Sequence, residues 1–124
     1  MTYLFTSNYF SKSLTLQDTM KAQGKEDKAR IKFRYAAALY KALQKSPFTS
    51  FRKLAKEAGM EPAHIQKISV GRLDVTLTTS TAIANALGIS YSELSSYYDN
   101  LTEKDIEKFV QYLAEQKAIR GKKK

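Results

Sequence analysis

From Glu26 to Lys45, apolar residues fall at Ile31, Tyr35, Ala38, Leu39 and Ala42. Steps of three and four residues keep these positions on one side of a helix, so the pattern predicts an amphipathic helix over 26–45. Ser46-Pro47 stops it, because the residue before a proline is pushed out of helical geometry. Phe51, Leu54, Ala55 and Ala58 repeat the spacing over a short second helix with Thr49 or Ser50 as N-cap. Gly59 closes that helix, since a helix end calls for a left-handed residue. A third helix starts at Pro62. Proline is accepted at the first helical position, and it holds Glu61 in the extended geometry of an N-cap. Ile65 and Ile68 form its inner face, and Gly71 ends it.

Leu73 to Thr78 reads as a loop, with Thr78 or Thr79 capping a fourth helix that carries Ile83, Ala86 and Leu87 and closes at Gly88. Ser90, with Glu93 three residues on, reads as a capping box opening a fifth helix whose Leu94 and Tyr97 point inward. Thr102, with Asp105 at the third position, opens a last helix. Its stripe is Ile106, Phe109, Val110 and Leu113, and it fades by Arg120. That stripe needs a surface to cover, either the core of its own chain or a second chain, and periodicity leaves both open. Ahead of the helices, residues 1–25 hold Tyr3, Leu4, Phe5, Tyr9, Phe10, Leu14 and Leu16 with no sustained period. They read as an N-terminal arm, either packed on the core or disordered. The predicted fold class is all-α.

Length and charge narrow the function. The 124 residues suit one domain with an arm or a tail. Without Cys and with a single His, disulfides, thiolate metal sites and cysteine nucleophiles are excluded. No apolar run approaches the ~20 residues of a membrane span. The N-terminus lacks the basic, apolar and small-residue succession of a signal peptide, so an intracellular protein is expected. No Gly-rich phosphate loop, paired carboxylates or Ser/His/Asp set appears at useful spacing, so neither enzymatic activity nor a cofactor is expected. The net charge is +9. Residues 31–98 carry most of the excess, with nine Lys/Arg against four Asp/Glu. The chain ends in a short basic tail, Arg120-Gly121-Lys122-Lys123-Lys124. Such an excess suits an anionic partner, nucleic acid first.

The most informative stretch is Phe51 to Gly71, FRKLAKEAGMEPAHIQKISVG. Ala55 is small where two helices must cross closely, Gly59 supplies a positive φ for a tight turn, and Ile65 and Ile68 lock the second helix onto the first. That is a helix-turn-helix, a unit that presents its second helix to the major groove. The frame, extended by Gly71 to Leu77, Thr79, Ile83 to Ser90 and Glu93-Leu94, resembles the lambda-repressor-like (Xre/Cro-type) helix-turn-helix family over residues 26–98. Departures from the family pattern are Phe51, where a phosphate-contacting Gln often stands, Glu61-Pro62 in place of Ser or Thr, Ser69 in place of an acid, and Val75 in place of a proline.

The resemblance implies a five-helix DNA-binding domain over 26–98, an N-terminal arm before it, and a C-terminal amphipathic helix and basic tail over 99–124. It implies a transcriptional regulator, cytoplasmic and nucleoid-associated in a prokaryote, binding double-stranded DNA as a homodimer on a pseudo-palindromic operator. An antitoxin-like or co-regulator module using the same fold is the alternative, with a protein partner held by the arm or the last helix. In the family register, base contacts fall to Glu61, Pro62, Ala63, Gln66 and Lys67. Gln66 is suited to adenine, Lys67 to guanine acceptors, Pro62 or Ala63 to a thymine methyl, and Glu61 to a cytosine amino group. Backbone contacts fall to Thr49, Ser50, Arg52, Lys53, His64 and Arg72. With one His and no Cys, His64 is read as a residue near phosphate and not as a metal ligand. Ala55→Leu is expected to overpack the helix crossing and destabilise the fold by ~1–3 kcal/mol. An unchanged melting temperature would contradict the register.

Overall fold

The computed structural model describes residues 25–122, so the arm predicted over residues 1–25 lies almost wholly outside the described residues. Six helices and no strand appear among the described residues: α1 (Lys25–Gln44), α2 (Phe51–Ala58), α3 (Pro62–Ser69), α4 (Leu77–Leu87), α5 (Tyr91–Asp99) and α6 (Glu103–Lys122). No described helix is long and apolar enough to cross a membrane. The chain divides into two units, residues 1–30 and 31–124. Of the first unit, the described part is the opening of α1, where Arg30 and Asp27 pair at 3.0 Å.

In the second unit the helix ends follow local chemistry. The Ser50 hydroxyl accepts the Lys53 N–H at 3.2 Å, satisfying an amide that the first turn of α2 leaves unpaired. Gly59 takes a left-handed conformation (φ +72°), letting the chain turn at once into α3. Pro62 opens α3, with Glu61 extended before it. The fourth helix starts earlier than its sequence suggests: the cap is Thr76, whose hydroxyl accepts the Thr79 N–H at 3.1 Å, so Leu77 and Thr78 are helical and not loop. Thr79 is thus the residue being capped. At the fifth helix Ser90 caps Glu93 N–H at 3.0 Å, while the Glu93 carboxylate accepts from the Tyr97 hydroxyl at 3.4 Å. The reciprocal box forms at α6 instead: Asp105 N–H donates to the Thr102 hydroxyl at 3.1 Å, and Thr102 N–H donates to the Asp105 carboxylate at 3.0 Å.

The core is built on α1. Ala36, Ala37, Ala38 and Leu39 are all buried, and four consecutive residues cover every direction around a helix. On one side Leu39, Ala42 and Leu43 join Phe51, Leu54, Ala55, Ile65, Ile68, Ile83, Ala84, Leu87 and Leu94. On another, Ala36 and Ala37 receive Phe109 of α6, with Phe33 edge-on to that ring at 5.2 Å. The last helix therefore covers its own chain. The stripe it uses differs from the predicted one. Val110 is half exposed, and Tyr112 takes its place, stacked on Tyr40 at 4.4 Å. Ile31, predicted on the inner stripe of α1, is also exposed. It lies beyond the packed stretch and borders a surface cavity of about 240 Å³ with Leu77 and Tyr91.

Polar links fix the helices further. The Tyr35 and Ser80 hydroxyls share a hydrogen bond at 2.9 Å between α1 and α4, which satisfies the buried serine. Arg34 donates to the Tyr98 carbonyl at 3.1 Å and lies over the Tyr98 ring, placing a cation at the carbonyl end of α5. Lys41 reaches Asp105 at 2.8 Å, tying α1 to the cap of α6. The bond from Lys41, with the Thr102 N–H next, lowers the Asp105 carboxyl from 3.8 to about 2 against the opposing effect of burial. A carboxyl depressed in the folded state contributes stability that is present above its unfolded value and lost as pH falls through the folded one. Between about pH 4 and pH 2 the melting temperature of the wild type is therefore expected to fall more steeply than that of Asp105→Asn. Parallel falls would contradict the assignment.

Candidate nucleic-acid interface

The third helix is mounted by two side chains. Ile65 and Ile68 are buried against α2 and α4 residues, which leaves the opposite face of an eight-residue helix outward. Glu61, Pro62, Ala63 and His64 are all exposed, so the first turn of α3 is uncovered all round. Lys67 is exposed and Gln66 half-buried. Glu61 caps through its backbone alone: its carbonyl accepts the His64 N–H at 3.0 Å, and its carboxylate makes no capping bond. Its charge is left on the outer face. The buried Ser69 hydroxyl donates to the Gln66 carbonyl at 2.8 Å, so a serine at this place in the core is satisfied locally.

The chain after α3 is held close to it. Arg72 N–H donates to the Lys67 carbonyl at 3.0 Å, and Gly71 N–H to the Ile68 carbonyl at 3.1 Å. Gly71 has φ +80°, and a Cβ there would stand 3.3 Å from the Phe33 Cα, so a side chain is opposed both by backbone conformation and by α1. This seats the exposed Arg72 beside the end of α3.

The start of α2 supplies the other edge. Phe51, Leu54 and Ala55 are buried, and Arg52, Lys53 and Lys56 are exposed. Thr49, Ser50, Arg52 and Gln66 border one cleft of about 330 Å³, so the structure brings one predicted base reader together with three predicted backbone residues. Lys67 and Arg72 do not border that cleft; they are joined to each other through the backbone bond. The Ser50 hydroxyl is engaged in capping α2. Two further residues of the cleft, Tyr112 and Gln116, come from α6 and were not singled out by sequence. No local signal marks them, because their neighbours are supplied by residues more than sixty positions earlier or some fifty, at Tyr40 and Gln66, as their numbers show.

The electrostatics favour an anion. The ion pairs among the described residues are Arg30–Asp27 and Lys41–Asp105. Neither uses Arg52, Lys53, Lys56, Lys67 or Arg72, so the cations of this surface are uncommitted within the described chain. Among the described residues no three His, Cys, Asp or Glu side chains gather to hold a metal ion. Compared with models of known protein families and with curated proteins, the chain gives no match.

Proposed function

We propose that the protein is a sequence-specific double-stranded DNA-binding transcriptional regulator with a lambda-repressor-like helix-turn-helix, acting as a homodimer on a pseudo-palindromic operator. The observation that carries this reading is the outward face of α3, Glu61 to Lys67, mounted on Ile65 and Ile68 and edged by cations that have no ion-pair partner among the described residues. A single helix fits the major groove, about 12 Å wide, where each base pair presents a distinct set of donors and acceptors. Gln66 then pairs with an adenine edge and Lys67 with guanine acceptors, while Glu61, Pro62 and Ala63 meet the bases at the uncovered first turn. Thr49, Ser50, Arg52, Lys53, His64 and Arg72 lie against phosphates and set the docking register.

The two groups do different work. A phosphate contact releases counterions whatever the sequence, and a base contact discriminates between sequences. Lys67→Ala is therefore expected to relax preference at one base position by ~1–3 kcal/mol. Arg52→Ala is expected to weaken binding to all duplexes alike and to reduce the slope of log K against log salt by about 0.9. Titration of specific and scrambled duplexes over a salt series measures both. Equal loss on specific and scrambled duplex for Lys67→Ala would contradict the role given to α3.

A further inference from the structure

We infer that the C-terminal half of α6 is a second DNA-binding element, in which Gln116 and Arg120 contact phosphates flanking the bases read by α3. The inference rests on the duplex-binding reading and extends it to a helix outside the 26–98 segment. Its first support is Phe51. This residue opens α2, and its ring is only 3% exposed and lies edge-on to Tyr112 at 6.3 Å. The first residue of α2 is thereby spent on holding α6.

The second support is position. Stacking of Tyr112 on Tyr40 at 4.4 Å, with Phe109 buried below, fixes where α6 passes. Gln116, one turn beyond Tyr112, borders the same cleft as Ser50, Arg52 and Gln66. Arg120 follows one turn later on the same side of the helix and is exposed.

The third support is charge. The first turns of α6 carry Glu103, Asp105 and Glu107, but past Glu115 every charged residue of the helix is basic: Lys117, Arg120 and Lys122. This basic end of the helix follows directly on Gln116, the last residue of α6 at the cleft. Gln116 and Arg120 are about 6 Å apart along the axis. Over that distance one DNA strand presents about two phosphates.

The test uses the full chain and a random-sequence duplex of about 30 base pairs, titrated over a salt series beginning near 100 mM. Arg120→Ala is expected to weaken binding about three- to tenfold and to reduce the salt slope by about 0.9, with base preference on scrambled sites unchanged. Gln116→Glu is expected to weaken it about tenfold by setting a carboxylate against phosphate. Lys104→Ala removes the same charge from the other end of α6 and is expected to bind as the wild type does. Melting temperatures of the three variants verify that each is folded. Wild-type binding that Arg52→Ala weakens but Arg120→Ala and Gln116→Glu leave alone would overturn this inference and spare the duplex-binding reading. An equal loss for Lys104→Ala would overturn it as a general charge effect. Failure of the wild type to bind any duplex would overturn both.

Discussion

Four consecutive buried residues, Ala36 to Leu39, make α1 the axis on which the other helices are mounted. Small side chains are what permit this. With alanine at three of the four positions, helices approach α1 from two sides, and the larger residues of the partners fill the space. One side receives the two-isoleucine face of α3 through α2 and α4. Another receives Phe109. The course of α6 thus follows from Ala36 and Ala37, while α3 belongs to the cluster that Leu39, Ala42 and Leu43 of the same helix join.

The division of polar groups follows the same plan. Groups that fix the scaffold are paired: Tyr35 with Ser80, Arg34 with the end of α5, Lys41 with Asp105. The cations along α2, α3 and the following loop are in none of these pairs. The surface at the edge of α3 carries exposed Arg52, Lys53, Lys56, Lys67 and Arg72 beside exposed Glu57 and Glu61. In the proposed reading this surface supplies the long-range attraction to a polyanion, and discrimination falls to the outward side chains of α3.

Much of the fold was legible because its signals are local. Ser50, Gly59 and Pro62 mark their helix ends through conformations and capping bonds that involve residues three or four positions away. The same locality explains the misplacement at Thr76. The run Thr76-Leu77-Thr78-Thr79 offers three hydroxyl caps in four residues, and it is the Thr76 hydroxyl that accepts the Thr79 N–H. Tyr112 escaped the stripe on α6 because Val110 and Leu113 already fill the spacing after Phe109, and its partner Tyr40 lies on a helix far away in sequence. Ile31 read as core because its spacing fits, although the fully buried stretch of α1 begins five residues later, at Ala36. In the candidate site, the residues of α2 and α3 are named from their register alone. Gln116 enters only through the cleft it borders, which the tertiary fold sets.

Selection of bound duplexes from a random-sequence pool tests the central claim most directly. The account predicts a pseudo-palindromic consensus with half-site centres about 34 Å apart, one turn of the double helix, as two copies of α3 in a symmetric dimer require. Recovery of duplexes with no shared sequence would contradict it.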